Sequence, residues 1–576
     1  YTATGDQHGK VYMYVVNVDD RTLEAVDPYA RAVTLNGNRS VVVDLAKSNP
    51  TGFATEKKPT FSGKPTDAIV YELHVRDLSI DSSSGVTAAR KGKYLAFTET
   101  STVLPTNTSV KTGISSIKDL GVTHVQLMPV YDFGSVNEAA PTFNWGYDPQ
   151  NYNVPEGSYS SNPSDPMTRI NELKQAIQSM HAQGLRVIMD VVYNHVMNPN
   201  TFSQESIVPG YFFRTDASGN LTNSSGCGND IASERPMVRK FIVDSVSYWA
   251  KEYHMDGFRF DILGLTDITT FNQIRSALDG IDNTILTLGE GWNTDGVLPF
   301  NQRAAQPNIS QIPRASLFND QSRDGIKGDT GNALGKGYVN GWPDAYVKQV
   351  INGIVGQTNS TYGDGPTRSW TTTEPGQSVN YVEVHDGLTL RDKLVATGVS
   401  STTLAQTDKF AASLVFLMQG LPFMQAGQEF MRTKNGDANS YKSSDAINSL
   451  KWGLALTNAD VRNYYKGLIA LRKAHPLFRL TTTAAINSSF KWAPYYNIPN
   501  ALGYTWTGGK AIGDTWDSIA VAHNPSTSAG TMTLPSTATW YVVVNDKTAG
   551  TTTLQTLSNT NKLPVPARGT VVAYRF

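Results

Sequence analysis

Eight short apolar runs alternate with amphipathic, helix-like stretches between about residue 65 and residue 480. Several of the runs are apolar at consecutive positions, which is typical of strands that are buried on both faces of a parallel sheet. Strands that alternate with helices in this way indicate an α/β unit, and eight of them favour a (β/α)8 barrel with loop insertions. The predicted strands are Ala68–Val75, Thr123–Val130, Arg186–Tyr193, Asp256–Asp261, Ile285–Glu290, Ser316–Asp320, Ser378–His385 and Pro422–Gln425.

Two of the connecting stretches carry a clear helical pattern. Ile170, Leu173, Ile177 and Met180 fall on one helical face, and Gly184 stands where a C-terminal cap belongs. The same spacing precedes the fourth strand, at Met237, Val238, Phe241, Ile242, Val246 and Trp249. A doubly wound open sheet is the alternative, but such a sheet usually has a Gly-rich phosphate turn after its first strand, and none follows Val75.

The two ends of the chain have other patterns. Residues 1–62 contain the strand-like runs Val11–Val16 and Arg39–Leu45, which are too few for an independent domain. We therefore expect the C-terminal remnant of a β module, docked on a barrel over residues 63–480. Residues 481–576 hold nine charged residues in ninety-six, and short β-type runs such as Trp540–Val544 and Thr570–Tyr574 recur between turns. This pattern predicts a C-terminal antiparallel β-sandwich.

The composition of the chain excludes several classes of protein. Of the 576 residues, 39% are apolar and 17% are charged, against a typical charged share of about 25%, so large cores are expected rather than disorder. Lys and Arg number 49 against 50 Asp and Glu, which provides no basic excess for nucleic acid. Cys227 is the single cysteine, so disulfide frameworks and multi-thiolate metal sites are excluded.

Carboxylates follow four of the predicted strands at their C-terminal ends. In a (β/α)8 barrel these ends meet at one mouth, where the chemistry of such enzymes takes place. The four strand ends are Asp190–His195, Asp256–Asp261, Leu288–Trp292 and Glu383–Asp386. One Asp at a strand end usually caps a turn, but four that converge on one mouth indicate a catalytic site.

Two of these carboxylates suit the hydrolysis of a glycosidic bond, which needs an acid for the leaving oxygen and a carboxylate to meet the oxocarbenium ion. Asp261 lies two residues after Arg259 on the same strand face, so the guanidinium can hold it ionised as a nucleophile requires. Glu290 is followed by Gly291 and Trp292. Apolar surroundings and neighbouring carboxylates would raise the pKa of Glu290, which suits a general acid.

Aromatic and histidine side chains near the mouth support a sugar-binding site. Phe143–Pro149 reads FNWGYDP and follows the second strand. Because sugar rings present flat faces of C–H bonds that match aromatic planes, we expect Tyr147 to be a sugar platform and Trp145 to pack in the loop. His195 and His385 are placed as donors to sugar hydroxyls, with a purely structural role as the alternative for each.

The residues at the strand ends carry a resemblance to a known family. The segments Asp190–His195, Asp256–Asp261, Gly289–Trp292 and His385–Asp386 resemble the conserved regions of the α-amylase family of glycoside hydrolases (family thirteen). The resemblance extends from about Ala68 to the end of the chain. Three segments show a narrower likeness to type I pullulanases: Phe143–Pro149, Gln126–Phe133 and Arg432–Tyr441. Glu24–Ala30 resembles the end of a starch-binding module of family forty-eight.

The resemblance implies a role for each matching residue. Asp261 would be the nucleophile, Glu290 the general acid/base, and Asp386 a residue that binds sugar hydroxyls and stabilises the distorted transition state. Trp292 would form an aromatic wall beyond the cleavage point. The residues expected around the glucose unit at the cleavage point are Tyr147, Asp190, His195, Arg259 and His385, and those expected to contact further donor-side units are Asp437, Asn439 and Tyr441.

One departure from the family pattern lies beside these residues. Many relatives have Asn after the His-Asp pair, whereas this chain has Gly387. The exchange leaves the expected acid and nucleophile untouched. It is expected to alter one contact, on the donor side or on the acceptor side of the cleavage point.

The activity implied by the resemblance is that of a retaining, endo-acting hydrolase. It would cleave α-1,6-glucosidic linkages in pullulan, starch and limit dextrins through a covalent glycosyl-Asp intermediate. Because the carboxylates are shared across the family, an α-1,4-acting amylase or a branching transglycosylase is the alternative within it. A non-catalytic glucan-binding protein is the alternative outside it.

The expected partners follow from this activity. They are α-glucan polymers and oligosaccharides, with neither nucleic acid nor a membrane span, and the protein is expected to be a monomer. No cofactor is expected for catalysis; relatives often bind structural calcium, for which the sequence identifies no ligands. An extracellular or cell-surface location is inferred from the substrate alone.

Overall fold

Eight parallel strands close into a barrel in the computed structural model, which describes residues 2–18, 20–493 and 495–576. Each predicted strand is present: seven are one to five residues shorter at one or both ends, and the eighth begins one residue earlier, at Leu421. The closed barrel confirms the (β/α)8 prediction, and the open-sheet alternative is wrong. In chain order the barrel strands are Val70–Leu73, His124–Leu127, Arg186–Val191, Gly257–Phe260, Leu286–Gly289, Ser316–Phe318, Ser378–Asn380 and Leu421–Gln425.

The last strand pairs with the first, which closes the barrel. Phe423 lies opposite Val70, and Gln425 lies opposite Glu72. Inside the barrel, apolar side chains of alternate strand residues form one cluster that includes Val70, Ile188 and Phe423. The opposite strand faces pack under the surrounding helices, so the strands are apolar on both faces, as their sequence indicates.

Helices cover the outside of the barrel. Their bounds are Gly113–Leu120, Pro166–Ala182, Ser203–Ile207, Pro236–Glu252, Ile268–Asp279, Asp320–Lys327, Pro343–Ile354, Leu390–Ala396, Leu404–Leu417, Asp445–Asn448, Gly453–Thr457 and Ala459–Ala474. None of these helices, nor Thr483–Ser489 beyond them, combines the length and the hydropathy that a bilayer span requires.

The two helices that the sequence indicates most clearly are present. In Pro166–Ala182 the Asp165 side chain accepts the Met167 N–H as an N-cap, and Gly184 follows the helix at φ +81°. In Pro236–Glu252 the predicted face is buried, with one exception. Met237 is 60% exposed, because it lies in the first turn, beyond the edge of the barrel.

The N-terminal segment has less regular structure than its sequence suggests. Its strands are Val11–Tyr12, Tyr14–Val18, Arg21–Ala25 and Ser40–Val41. Only two residues of the predicted run Arg39–Leu45 therefore belong to a strand. The segment lies along the barrel and bonds to it: the Asn36 N–H donates to Glu138 and the Lys58 ammonium donates to the Met255 carbonyl.

The C-terminal segment is antiparallel, as predicted, but hydrogen bonds link its strands in one seven-stranded sheet rather than in two separate sheets. The long strand Gly530–Val544 pairs with both Gln555–Val565 and Gly569–Arg575, and residues of these strands belong to a second hydrophobic cluster. The strands are Phe490–Trp492, Tyr495–Tyr496, Leu502–Thr507, Ser518–Asn524, Gly530–Val544, Gln555–Val565 and Gly569–Arg575.

Smaller hairpins complete the molecule. Val103–Leu104 pairs with Asn107–Lys111, and Tyr131–Phe133 pairs with Pro149–Pro155. The second hairpin contains the FNWGYDP segment in its connection and carries it over the C-terminal mouth of the barrel.

Candidate active site

One guanidinium binds three carboxylates at the mouth of the barrel. Arg259 Nη1 lies 3.0 Å from both Asp190 and Asp261, and Nη2 lies 2.6 Å from Glu290. The pair Arg259 and Asp261 shares a strand face, as their spacing predicts. Arg259 itself is 2% exposed, so the attraction between these charges is weakly screened by water.

Asp261 is held by one further side chain. The Asn194 amide donates to both its carboxylate and its carbonyl, at 2.8 Å each. The next residue, Ile262, has φ +35°, an unusual backbone conformation for a β-branched residue. In this conformation the Ile262 N–H donates to Glu290 over 3.0 Å, so the backbone next to the proposed nucleophile also positions the proposed acid.

Glu290 has the electrostatic environment of an acid. Its burial raises the pKa of the carboxyl to about 7, opposed by Arg259 and supported by the negative charges of Asp261 and Asp386. A carboxyl with this pKa remains largely protonated in weakly acidic solution, where it can transfer a proton to a leaving oxygen. This environment agrees with the role that the resemblance implies.

Asp190 lies beneath the other two carboxylates and is fully buried. It accepts a hydrogen bond of 2.7 Å from the Tyr147 hydroxyl and one of 3.3 Å from the Gln126 amide. Burial raises the pKa of Asp190 to about 7, with Arg259 opposing the shift. Asp190 is not among the residues that line the cleft, and it contacts Arg259 and Tyr147, so it supports the site through them.

The His385 ring is enclosed on three sides. Its Nδ1 lies 2.8 Å from the carboxylate of Glu72, which also accepts the His385 backbone N–H over 2.8 Å. Tyr147 stacks on the ring at 4.8 Å, and the edge of Trp145 meets it at 4.8 Å. The remaining nitrogen, Nε2, lies 3.6 Å from Asp386. Burial lowers the pKa of His385, but Glu72 and Asp386 outweigh it and raise the value to about 9.

The structure places His195 differently. Its Nδ1 lies 2.5 Å from the Asn194 side-chain oxygen, and its Nε2 lies 2.7 Å from the Tyr147 carbonyl. Both ring nitrogens therefore bond to protein, although the ring lines the cleft. These contacts favour the structural alternative for His195, which orients the aromatic loop and the Asn194 amide.

Two cavities meet at Asp386, which is 58% exposed. The larger, of about 370 Å³, contains Tyr147, Asp261 and His385. The smaller, of about 240 Å³, contains Glu290 and Trp292, together with Phe318, Asp320, Arg323 and Tyr381. Asp261 and Glu290 thus line two different cavities, which meet at Asp386.

The loop after the eighth strand reaches the larger cavity with two of its three predicted residues. Asn439 and Tyr441 line this cavity, and the Tyr441 carbonyl accepts the Trp145 N–H over 2.9 Å. Asp437 is not among the lining residues. Its carboxylate accepts the Asn439 N–H at 3.0 Å and the Ser443 hydroxyl at 2.5 Å, so it shapes the loop from within.

Gly387 lies in the left-handed region at φ +81°, and its N–H donates to the Ala438 carbonyl over 3.0 Å. Asn tolerates this region better than other residues with a side chain. The exchange of Asn for Gly at this position therefore preserves the backbone turn that follows Asp386.

Several residues of the site were missed by reasoning from the sequence. Glu72 is a charged residue inside an otherwise apolar strand, and Asp320 and Asn194 follow the sixth and third strands. The same rule that selected the other strand-end residues would have found them. Tyr381 directly follows the seventh strand and could have been found in the same way, whereas Arg323, inside the helix Asp320–Lys327, carries no comparable signal.

A separate cluster of buried carboxylates lies near the N-terminal segment. Oxygens of Asp132, Glu138 and Glu156 lie within 4.8 Å of one another, a spacing that could hold a cation. However, Arg169 donates to both Asp132 and Glu138, and the N–H groups of Ser158 and Phe133 donate to Glu156. Since the oxygens already have these donors, the cluster does not fit a calcium site.

Comparison with known proteins places these features in context. Residues 110–219 match the family model "Alpha amylase, catalytic domain", and residues 496–548 match "Pullulanase, all-beta domain". Over 538 residues the chain is 42% identical to the pullulanase of Bacillus subtilis, covering 93% of this chain and 72% of the relative. It is 30% identical to pullulanase A of Streptococcus pneumoniae, covering 82% of this chain but only 42% of that protein.

Solved structures agree with these sequence matches. The pullulanase of Paenibacillus barengoltzii, in a complex with maltohexaose and α-cyclodextrin, superposes with a TM-score of 0.92 at 44% identity. The match covers 98% of this chain and 86% of the other. The barrel, the C-terminal module and the order of the elements are therefore shared.

Proposed function

Because this chain belongs to the type I pullulanases of the α-amylase family, we propose that its cleft cleaves α-1,6 branch points in pullulan, starch and limit dextrins. It is a debranching glycoside hydrolase, and the general class of reaction follows from family membership. What the proposal adds is the assignment of individual residues and polymers. The observation that carries the residue assignment is the single guanidinium of Arg259 that joins Asp190, Asp261 and Glu290, whereas the linkage rests on the likeness to pullulanases.

In the proposed first step, Glu290 donates its proton to the glycosidic oxygen while Asp261 attacks the anomeric carbon. Arg259 stabilises the Asp261 carboxylate, and the raised pKa of Glu290, about 7, keeps the acid protonated. The bond between the anomeric carbon and the leaving oxygen breaks, and a glycosyl-Asp261 ester forms. Water then attacks the ester, with the Glu290 carboxylate as base, and regenerates both residues.

The remaining residues are assigned by their position. Asp386 faces both cavities, so it can accept hydrogen bonds from the glucose unit at the cleavage point as that unit distorts. Tyr147 provides the platform in the larger cavity, which we assign to the donor side. Trp292 provides an aromatic wall in the smaller cavity, which we assign to the acceptor side.

The proposed mechanism uses only side chains of this chain and no organic cofactor. A structural calcium ion would have to bind away from the cluster around Arg169. We also propose that the protein acts as a monomer on glucans outside the cell or at its surface. This location rests only on where such polymers are found.

Product analysis with pullulan tests the linkage. The proposal predicts maltotriose as the main product, whereas panose or isopanose would mean α-1,4 cleavage and would favour the amylase alternative. Absence of product from any α-glucan, despite binding of maltotriose, would favour a glucan-binding protein. The variant Glu290→Gln serves as the inactive control in each assay.

The stereochemistry of the product tests the covalent step separately. Retention requires the two carboxyl groups to be about 5–5.5 Å apart, because no water then fits between the nucleophile and the sugar. Proton NMR of the first product should therefore show the α-anomer of the new reducing end. An initial β-anomer would exclude Asp261 as a covalent nucleophile.

A further inference from the structure

We propose that Glu72, on the first barrel strand, is a positioning residue that keeps His385 protonated on both ring nitrogens at the wall of the cleft. The inference rests on the proposed function, since it assigns His385 to the glucose unit at the cleavage point. Glu72 itself does not line either cavity at the mouth. It acts through His385, which lines the larger one.

The contacts between the two residues are specific. One carboxylate oxygen of Glu72 accepts the His385 backbone N–H over 2.8 Å, and the other lies 2.8 Å from Nδ1. The two residues are 313 positions apart in the chain and meet because the barrel closes. Glu72 is 1% exposed and His385 is 3% exposed, so each depends on the other for its charge balance.

The chemistry of the pair determines the proton positions. A carboxylate can only accept hydrogen bonds, so Nδ1 must carry a proton when it faces Glu72. In a neutral ring that leaves Nε2 without a proton, and Nε2 is the nitrogen nearer Asp386. Only the doubly protonated ring donates at both ends, to Glu72 behind it and into the cleft in front of it.

The other charged and titratable groups around His385 do not replace Glu72. Asp386 also favours the positive ring, but it is largely exposed and is needed for the sugar. Arg259 opposes the positive ring, and Lys434 donates only to the backbone carbonyl of His385. The Tyr147 hydroxyl lies 3.4 Å from Nδ1 but donates to Asp190. Glu72 is thus the buried anion in direct contact with the ring.

Glu72 also belongs to a buried row of polar groups beneath the cleft. It lies opposite Gln126 in the ladder, and the Gln126 amide lies 3.5 Å from Glu72 and 3.3 Å from Asp190. Glu72, Gln126 and Asp190 therefore form a row across the first three barrel strands, in contact with His385 at one end and Tyr147 at the other. Buried charges of this kind stabilise the fold only when each of them keeps its partner.

The variant Glu72→Gln tests the inference, because it retains an acceptor for the His385 N–H and removes the charge. Parent and variant are compared on pullulan by their kcat/KM values from pH 5 to pH 8. Titration of Glu290 occurs in both proteins and cancels in the ratio of the two values. We expect a ratio near one at pH 5, where His385 is protonated without help, and about tenfold in favour of the parent at pH 7.5.

The matched control is Glu172→Gln, which removes another buried carboxylate. Glu172 accepts the Ser161 N–H over 2.8 Å and lies on the helix Pro166–Ala182, away from His385. The ratio of kcat/KM between the parent and this control variant should be independent of pH. A constant ratio for Glu72→Gln, or the same pH-dependent ratio for both variants, would overturn the inference and leave the proposed function intact. A parent without activity on pullulan would instead overturn the function.

A second measurement does not depend on the folding of a Glu72 variant. The ring of His385 can be titrated in the parent by histidine-labelled NMR, with its signal assigned by its loss in His385→Asn. We expect the ring to remain doubly protonated at pH 8. A midpoint below about pH 7.5 would contradict the inference whatever the activity of the enzyme.

Discussion

At the scale of single residues, the site depends on how one cation is shared. Arg259 contacts three carboxylates, and two of them have a pKa raised to about 7 by burial. Asp261 differs from Glu290 and Asp190 in its donor, because its carboxylate accepts a hydrogen bond from the Asn194 amide. The same guanidinium therefore contacts both the proposed nucleophile and the proposed acid.

The pKa of Glu290 predicts the alkaline side of the pH profile. The acid acts in its protonated form, so activity is present below its pKa of about 7 and is lost as the pH rises through that value. Glu290→Gln should lower kcat by about 10³-fold below pH 7, where the acid of the parent is protonated. The measurement is kcat/KM on pullulan between pH 4.5 and pH 9, with the melting temperature of the variant as the control for folding. A variant within tenfold of the parent would show that another group is the acid.

Removal of Arg259 should cost stability as well as activity. In Arg259→Leu, three buried carboxylates lose their shared counter-charge, which we expect to lower the free energy of unfolding by about 3–5 kcal/mol. Arg314→Leu is the matched control, because Arg314 is 42% exposed and pairs with an exposed Asp279, a pair worth less than about 1 kcal/mol. Urea titration measures both. Equal losses for the two variants would mean that the central guanidinium has no special electrostatic role.

At the scale of elements, the chemistry depends on how the connections after the fourth and fifth strands pack. Asp261 ends one strand and Glu290 the next, and the turn Leu263–Leu265 fits directly against the second connection. The Gly264 N–H donates to the Glu290 carbonyl over 3.1 Å. A Cβ on Gly264 would lie 1.9 Å from the Trp292 carbonyl oxygen, so the two segments are in contact through their backbones.

Gly264→Ala should therefore separate the acid from the nucleophile without opening the barrel. We expect kcat to fall by about tenfold to a hundredfold, since a misplacement of about 1 Å is costly in an aligned site. Far-UV circular dichroism and kcat on pullulan are the measurements. Gly453→Ala is the control, because a Cβ at Gly453 meets no atom within 4 Å. Unchanged activity in Gly264→Ala would show that these connections can move apart freely.

At the scale of the whole molecule, the barrel and the C-terminal segment share one hydrophobic cluster. His475, after the last barrel helix, stacks on Trp516 at 3.4 Å, and Trp516 stacks on Tyr574 at 3.8 Å. The helix Leu404–Leu417 packs on the final strand, and Gly467 contacts the Ala549 carbonyl closely. These contacts tie the mouth-forming barrel to a module none of whose described residues lines the two cavities at the mouth.

We expect the barrel and the C-terminal module to unfold together. Trp516→Ala should lower the free energy of unfolding by about 3–5 kcal/mol, the usual cost of such a truncation in a core. Thermal loss of pullulan hydrolysis and calorimetric unfolding should shift by the same number of degrees. Ile512→Ala is the control, since Ile512 is 46% exposed. A separate, earlier transition that leaves activity unchanged would show that the module unfolds independently.

The sequence determined the kind of barrel and most of the functional strand ends. Consecutive apolar residues and the turns between them are local features, so all eight strands and the positions of Asp190, Asp261 and Glu290 could be predicted. The contact between Arg259 and Asp261 could also be predicted locally, because side chains two residues apart on a strand point to the same face.

The tertiary structure alone decided which of these residues act together. Glu72 meets His385 because the eighth strand pairs with the first and closes the barrel. The Asp437 carboxylate accepts hydrogen bonds from the Ser443 hydroxyl and the Asn439 N–H within its own loop and does not reach the cleft. Both His195 nitrogens bond to protein for a similar reason. Burial, which raises the pKa of Glu290, depends on every element around the mouth. Closure and burial are properties of the packed chain, so a local pattern does not encode them.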